Sequence, residues 1–434
     1  MKIRGDLSIL LSLIISVPVF APAPVLAQAA QSLTLKEAEA IAIQNHPKVQ
    51  VAVSLATAAE AQVTQARSAN YPLIFGSLTG VAAEKDSRVA AGSLSNPIIY
   101  DRYANGISVS QLLTDFGRTQ ELVKSSNLHA KAQQENVATS RADVLLQVDQ
   151  AYFAALRAQA LLTVAEQTVQ ERQLVADQVK ELEKNKIKSG LDVSFANVAL
   201  QQGQLLLIQA QNDLLASFAD LSAALGYSSQ QTFRLSEEPL PSAPSSDVTS
   251  LIEQSLRDRP ELIGQRSEAT SAQRFAKAQS NLWFPTVSAF ATAGLVPLRE
   301  DPVSSRYFAV GLNVNIPIFN GFLFNSLKKE ADSRAHAEEE RVRELQDRIT
   351  REVVKAWLGA NSAYQRLAVT DQLLKQANLA LDLAQSRYRL GLSSIVELSQ
   401  AQLNQTQAQI EEASAKYDYA AQFAALNYQL GTFR

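Results

Sequence analysis

The sequence predicts a mainly α-helical fold that also carries transmembrane β-strands. Residues 119–188 contain no proline or glycine and carry spaced apolar side chains, as expected of one very long helix. Other, shorter segments alternate apolar and polar residues with the period of two that is typical of strands. An internal repeat places the same set of elements in both halves of the chain.

The repeat shows as matching residues at constant separation. The first two markers recur 213 residues later and the last three recur 205 residues later. In order, the pairs are His46-Pro47 with Arg259-Pro260, Tyr71-Pro72 with Phe284-Pro285, Leu113-Thr114-Asp115 with Ile318-Phe319-Asn320, Ala151-Tyr152-Phe153 with Ala356-Trp357-Leu358, and Leu225-Gly226 with Leu430-Gly431. This pattern predicts repeats at 28–227 and 248–434, joined by a proline- and serine-rich linker at 228–247.

Each repeat is predicted to contain a helix, a strand pair, a very long helix and another helix. In the first repeat the helices are expected at 34–70, 119–188 and 192–226. In the second repeat they are expected at 248–283 and 323–390, with a further helix after Gly391. About 70 residues of continuous helix are roughly 100 Å long, so a compact globule is excluded. The two shorter helices of a repeat together match one long helix, which predicts a rod of antiparallel helices. A solvated coiled coil and the wall of a water-lined tube share this pattern.

The strand pairs are expected as hairpins at 72–115 and 285–318. Val310, Leu312 and Val314 alternate with Asn313 and Asn315, so one face is apolar and the other polar. Each run has about the 9 to 11 residues of a transmembrane strand. A half-buried sheet of a soluble domain alternates in the same way, so alternation alone leaves that alternative open.

Aromatic residues cluster at both ends of these strands. Such clusters are typical of the two membrane–water interfaces of an outer-membrane barrel, where aromatic rings form girdles. The predicted girdle consists of Tyr71, Trp283 and Phe284 at the helix-to-strand junctions, and of Tyr100, Tyr103, Tyr307 and Phe308 at the far ends.

Four strands cannot close a barrel alone, and lipid does not tolerate an open sheet edge. The chain is therefore expected to share its barrel with copies of itself. Three copies give a 12-stranded barrel, whereas two copies give eight strands with no room for an aqueous pore. A homotrimer in contact with outer membrane lipid is the prediction.

The first residues set the expected compartment. Lys2 and Arg4 precede an apolar run at 7–17, and small residues lead to Ala27, so 1–27 is predicted to be a signal peptide, with cleavage after Ala30 as the alternative.

The chain has no cysteine, which excludes disulfides, thiolate metal sites and a lipid on a first mature cysteine. The net charge of −3 gives no basic footprint, so nucleic acid is not an expected partner.

The sequence offers few residues in patterns that would support catalysis or metal binding. The three histidines, His46, His129 and His336, do not lie at ligand spacing with one another, and we interpret them as surface or packing residues. No phosphate-binding glycine loop or nucleophile motif occurs. We therefore expect no enzyme activity, no cofactor and no metal site; a hydrolytic enzyme is the least supported alternative.

Three segments carry a family resemblance: Gln-Leu-Leu-Thr-Asp-Phe-Gly at 111–117, Ile-Pro-Ile-Phe-Asn-Gly at 316–321 and Arg-Tyr-Arg-Leu-Gly-Leu at 387–392. With their order and duplication, they resemble the TolC-like outer membrane efflux proteins. The resemblance implies a long antiparallel α-helical barrel in the periplasm, continuous with a 12-stranded β-barrel shared by three subunits. It also implies an exit duct for efflux or type I secretion, working with a periplasmic adaptor and an inner-membrane pump or ABC-type transporter.

The resemblance further implies an aperture at the helix turns far from the barrel. Glu397, Asp192 and Tyr388 match the acids and the tyrosine of the family's turn. Gly190 precedes Asp192 by two residues whereas Gly391 precedes Glu397 by six, so the first turn is expected to be four residues short. The alternative role for both acids is stabilisation of a helix N-terminus.

A second class of function also explains the helices. A periplasmic coiled-coil structural or adaptor protein without a pore would contain such a rod, but it gives no reason for the two alternating hairpins. The substrate is not specified by the sequence, since drugs, metals and polypeptides are all compatible with this architecture.

Overall fold

The computed structural model describes residues 32–84, 87, 99–299 and 303–433. The predicted signal peptide at 1–27 lies outside the described residues. The first half of the chain contains β1 Ser32–Leu33, α1 Leu35–Asn45, α2 Pro47–Ser68, β2 Leu73–Val81, β3 Arg102–Thr114, α3 Arg118–Lys184 and α4 Gly190–Ala224. The second half contains β4 Arg234–Leu235, α5 Val248–Asp258, α6 Pro260–Ser280, a 3-10 turn Asn281–Trp283, β5 Thr286–Arg299, β6 Arg306–Asn315, α7 Leu323–Arg389 and α8 Ile395–Gln429.

The long helices have equal lengths in the two halves. Both α3 and α7 have 67 residues, and both α4 and α8 have 35. At 1.5 Å per residue, each 67-residue helix is about 100 Å long. In each half the long helix packs along the one that follows it, and α3 also contacts α2, α6 and α8. Many of the buried residues along these contacts are alanines, which allow close approach of the helix axes.

The first helix of each repeat is interrupted, which the sequence analysis did not predict. The span 34–70 divides into α1 and α2, and the span 248–283 divides into α5, α6 and the 3-10 turn. His46 and Arg259 have extended backbone, and the proline that follows each of them begins a new helix. Proline is favoured at a first helical position and disfavours helical backbone in the residue before it, so both helices break there.

Both interruptions pack against a glycine from the end of the same half. Gly226 and Gly431 have φ of 81° and 72°, values that favour glycine. A Cβ on Gly226 would lie 3.0 Å from the carbonyl carbon of Asn45, and one on Gly431 would lie 3.0 Å from Cα of Arg259. The chain therefore needs glycine at these two positions for backbone conformation and for close approach.

Hydrogen bonds from tyrosine and tryptophan side chains of the helices hold the segment that joins the two halves. The Tyr152 hydroxyl donates to the carbonyl oxygens of Leu33 at 2.9 Å and Ser236 at 2.7 Å. The Tyr419 hydroxyl and the Trp357 indole donate to carbonyls further along the same segment. β1 and β4 pair in parallel beside them. We refer to α1 together with residues 233–247 as the strap.

A pair of acids, the buried Asp149 and the half-buried Glu39, lies where the strap meets α3. Asp149 is 3 % exposed, and its Oδ1 is buried without a hydrogen-bond partner among the described residues. Burial raises the pKa of the Asp149 carboxyl to about 8, and the negative charge of Glu39 on α1 adds to that rise. Burial also raises the pKa of Glu39. The pair therefore retains a proton at neutral pH.

The four longer strands form one antiparallel sheet in the order β2-β3-β5-β6. Cross-strand registers are continuous, apart from irregularities in β3 between Tyr103 and Asn105 and between Leu112 and Thr114. Within the described residues, β2 and β6 each pair on one side only. The sheet thus has two open edges, which is the feature predicted from the sequence.

Candidate functional site

The two helix turns at the end of the rod opposite the sheet are built alike. α3 ends at Lys184 and α4 begins at Gly190, whereas α7 ends at Arg389 and α8 begins at Ile395, so both turns have the same length. The expectation of a shorter first turn is therefore wrong. Gly391, with φ of 74°, is equivalent to Lys186, with φ of 58°, and not to Gly190. The first turn places a lysine in the left-handed conformation where the second has a glycine.

Asp192 closes the N-terminus of α4. Its carboxylate accepts hydrogen bonds from the Ser189 backbone N–H at 2.9 Å and from the Ser189 hydroxyl at 2.7 Å, while its own N–H donates to the Ser189 hydroxyl oxygen. The bond from the Ser189 N–H is the main cause that lowers the pKa of Asp192. This reciprocal arrangement is a capping box, so the helix-end role holds for Asp192.

Glu397 has the same helix position in the second turn but a different partner. Its N–H donates to the hydroxyl oxygen of the N-cap Ser394, whereas its carboxylate accepts from Nε of Arg387 at 3.1 Å. Arg387 also donates to the Leu392 carbonyl. Sequence reasoning missed Arg387, because only the fold of the turn brings it back to a residue ten positions later. An arginine therefore offsets the charge of Glu397.

Tyr388 connects the two turns. Its side chain is 7 % exposed, and Nζ of Lys188 lies 4.1 Å from the centre of its ring. Burial raises the pKa of Tyr388, and the charge of Asp192 adds to the effect. Its hydroxyl oxygen is buried without a hydrogen-bond partner among the described residues. The structure thus brings Tyr388, Lys188 and Asp192 together, and sequence reasoning missed Lys188 because its role depends on contact between the two turns.

The sheet has one apolar face along its whole width. Cross-strand partners place Ile74, Val109, Ala291 and Val310 in one row, and the next row on this face contains Ile107, Ala293 and Phe308. Several members are highly exposed in the single chain, Ile74 at 66 % and Val310 at 71 %. An exposed apolar surface of this extent marks a contact with lipid or protein.

The predicted girdle residues occupy both ends of the sheet. Near the helices, Tyr71 is exposed, Trp283 contacts Phe324 edge to face at 5.6 Å between ring centres, and Phe284 stacks with Phe116 at 5.8 Å. At the other end, Tyr100 precedes β3 and Tyr103 lies on it.

Tyr307 and Phe308 lie on opposite faces, because successive residues of a strand alternate. Phe308 shares the apolar face with Val310, whereas the Tyr307 ring covers Gly106 and Gly294 on the other face, where a Cβ would collide with it. The two neighbouring aromatics therefore cannot both belong to a lipid-facing girdle.

Two of the histidines make contacts at the start of a helix or between helices. His46 accepts from the Lys48 N–H at the start of α2, and His129 Nδ1 lies 2.9 Å from a Glu268 carboxylate oxygen. In the described ranges, no grouping of three or more histidine, cysteine, aspartate or glutamate side chains is arranged to hold a metal ion. No helix in the same ranges has an apolar stretch long enough to cross a bilayer.

The architecture of the described chain is thus a sheet with an exposed apolar face joined to helices about 100 Å long. Residues 40–227 and 251–432 match the outer membrane efflux protein family. The chain belongs to this family, and it is accordingly an outer membrane protein of efflux transport. The members compared are channel proteins and not enzymes.

Individual relatives have low sequence identity to this chain, but the similarity extends over most of its length. The chain is 24 % identical to the outer membrane efflux protein BepC of Brucella suis over 92 % of this chain and 86 % of BepC. It is 23 % identical to the outer membrane protein TolC of Escherichia coli, over 76 % of this chain and 71 % of TolC. The crystal structure of VceC from Vibrio cholerae superposes with a TM-score of 0.76 at 18 % identity, covering 92 % of this chain and 96 % of VceC. That similarity shows the shared fold.

Proposed function

We propose that three copies of this chain form a closed channel, with a 12-stranded β-barrel in the outer membrane and a helical barrel that extends into the periplasm. The observation that carries the proposal is the four-stranded sheet, whose edge strands β2 and β6 are unpaired in the described chain. Open edges are costly in lipid, and pairing β6 of one copy with β2 of the next removes them all. Three copies also leave a lumen, which two do not.

The repeats at 28–227 and 248–434 fit this assembly. Their long helices α3 and α7 have equal lengths, as do α4 and α8, so each copy contributes two similar sectors to the tube wall. Most of the linker at 228–247 belongs to the strap, and it then follows the wall. An internal duplication of one ancestral unit accounts for this correspondence.

The duct is proposed to serve efflux of small molecules or type I secretion, together with a periplasmic adaptor and an inner-membrane pump or ABC-type transporter. The family match supports transport across the outer membrane. The relatives differ in what they export: CusC is a cation efflux system protein and OpmQ is a pyoverdine export protein, so family membership does not specify the substrate.

Disulfide trapping tests the assembly cleanly, because the chain has no cysteine of its own. One cysteine replaces Ser77 on β2, and a second is moved along the polar face of β6 through Ala309, Gly311, Asn313 and Asn315. At the position in register, a non-reducing gel should show covalent dimers and trimers. A Ser108→Cys/Thr292→Cys control joins cross-strand partners of one chain and should give monomers only. Dimers without trimers, or no trapping at any position, would contradict the trimer.

The aperture is proposed at the two turns, with Glu397, Asp192 and Tyr388 around the axis. Arg387 offsets Glu397, so the two variants should act in opposite directions: Glu397→Gln should lower cation selectivity in planar bilayers, and Arg387→Gln should raise it. Unchanged selectivity in both variants would leave the pair as a helix-end contact only.

The remaining aromatic residues, with Phe308 but not Tyr307 at the far end, are proposed as the girdle.

A further inference from the structure

Three cationic side chains converge on one buried carboxylate close to the sheet. Glu121 of α3 is only 5 % exposed. Nζ of Lys124 lies 2.9 Å from its Oε1, Nη1 of Arg274 lies 3.4 Å from its Oε2, and Nζ of Lys277 lies 3.7 Å from its Oε1. The three cations are each about half exposed. We name these four residues the basic cluster.

The cluster carries more positive than negative charge. One carboxylate faces three cations, and this charge environment lowers the pKa of Glu121, so the acid stays ionised. The net charge of about +2 is held together by a buried anion and presented to solvent. An additional anion on the exposed side would complete the pairing.

Helix packing alone does not require this arrangement. Ser326 occupies the position in α7 that is equivalent to Glu121, and Ala61 and Thr64 occupy the positions in α2 that are equivalent to Arg274 and Lys277. The corresponding elements of the other repeat therefore form without the buried acid and without two of the cations. A specific contact on α3 and α6 explains the difference.

The depth of the cluster matches a lipid headgroup layer. α3 begins at Arg118, directly after β3, and Glu121 and Lys124 follow within its first two turns. At 1.5 Å per residue they lie about 5 to 9 Å beyond the start of the helix. The headgroup layer on one side of a bilayer is about 5 to 8 Å thick, so these cations reach the phosphates that border a membrane spanned by the strands.

The cluster also lies on the outer side of the proposed tube. Lys124 and Asp149 are 25 residues apart, which is close to seven full turns at 3.6 residues per turn, so the two side chains point to the same side of α3. Asp149 is covered by the strap through its contact with Glu39 of α1. A strap on the inner side would occupy the duct, so this side of α3 faces outward.

From these observations we infer that the basic cluster binds the phosphate of an anionic phospholipid in the periplasm-facing leaflet of the outer membrane. The inference rests on the proposed membrane channel. Glu121 positions the three cations around one point, and the exposed ammonium and guanidinium groups donate to the phosphate oxygens. Each copy of the chain carries one such site.

Spin-label spectroscopy tests the site with lipid itself. The full channel is reconstituted in phosphatidylcholine vesicles that contain a trace of spin-labelled phosphatidylglycerol or, separately, spin-labelled phosphatidylcholine. The motionally restricted fraction of each label gives the relative association constant. We expect a preference for phosphatidylglycerol that falls by roughly five-fold for each lysine removed in Lys124→Gln/Lys277→Gln. Arg274 remains in this variant to pair with the buried Glu121.

A matched control removes the same charge far from the membrane. Lys180→Gln/Lys184→Gln lies near the other end of α3 and should leave the preference unchanged. Equal restriction of both lipids in the unaltered protein, or a preference retained in Lys124→Gln/Lys277→Gln, would overturn the inference while leaving the channel intact. Absence of a restricted component for either lipid would instead show that the protein does not insert, and would overturn the proposed function as well.

Discussion

The acid pair Asp149 and Glu39, between α3 and the strap, makes stability depend on pH. Asp149 has an ordinary pKa of 3.8 when exposed and about 8 when buried. Between these values the folded state holds a proton that the open state has lost. Stability contributed by neutral Asp149 is therefore complete below about pH 4, and it is lost progressively as the pH rises toward 8.

Replacing Asp149 with asparagine removes this dependence. Asparagine has a similar shape, carries no charge and donates to Glu39 as protonated aspartate does. The stability of the docked α1 should therefore shift in favour of the variant as the pH rises, by up to about 1.4 kcal/mol for each pH unit in this window. Above about pH 8 the difference should stop growing.

Hydrogen exchange of peptides that cover α1 measures the opening directly. Comparing the two proteins at the same pH cancels the pH dependence of intrinsic exchange, and about pH 5 and about pH 7.5 bracket a useful part of the window. Asp220→Asn, which removes the same charge from an exposed position on α4, is the control and should show no such trend. If the advantage of Asp149→Asn is the same at both pH values, Asp149 holds no extra proton and the reasoning is refuted.

Three further substitutions probe backbone conformation and the strap. Gly431→Ala should lower the thermal stability by more than about 1 kcal/mol because its Cβ meets Arg259 and its φ is positive, whereas Gly190→Ala, with open space around it, should not; melting followed by circular dichroism distinguishes them. Lys186→Gly should slow hydrogen exchange at the first turn, since it relieves about 1 kcal/mol of left-handed strain; faster exchange would contradict this. Tyr152→Phe removes the hydroxyl that donates to the Ser236 carbonyl, while the Leu33 carbonyl keeps the Ser236 N–H as its donor. Melting should therefore show a loss of about 1 to 3 kcal/mol, and an unchanged melting temperature would show that water replaces the hydroxyl.

The long elements could be predicted because their signals accumulate over many residues. The helix expected at 119–188 is observed at Arg118–Lys184, and the hairpin expected at 285–318 contains β5 and β6. The breaks at His46 and Arg259 were missed because a proline at a first helical position looks the same as a proline inside a helix, and at His46 alanine-rich sequence also continues on both sides. The equal turn lengths were missed because the left-handed position was sought at a glycine, and Lys186 fills it.

The candidate site was less predictable than the fold for a related reason. Asp192 and Glu397 have the same helix position, and sequence alone does not show that one closes a capping box and the other pairs with Arg387. The contact of Lys188 with Tyr388 joins residues 200 positions apart. Such partners depend on the packing of two turns against each other, which periodicity does not specify.

The two repeats also solve the same packing problem in different ways. In the first, the buried Arg172 of α3 donates to the Ala199 carbonyl of α4 at 2.8 Å, and a Cβ on Gly203 would lie 3.3 Å from its Cδ. The equivalent positions in the second repeat are Ala377 and Ala408, both buried. The first repeat thus packs a large residue against glycine, whereas the second packs two alanines against each other. The helices α4 and α8 have the same length in both cases.

This correspondence predicts coupling between positions 172 and 203. Gly203→Ala alone should destabilise α3 against α4 by about 1 to 3 kcal/mol, because the added methyl group crowds the arginine stem. In an Arg172→Ala background the same change reproduces the alanine pair of the second repeat, and it should be neutral or stabilising by up to about 1 kcal/mol, since alanine favours helix. Thermal unfolding of the four proteins gives the coupling energy. Equal losses in both backgrounds would show that Gly203 is required for a reason other than the side chain of Arg172.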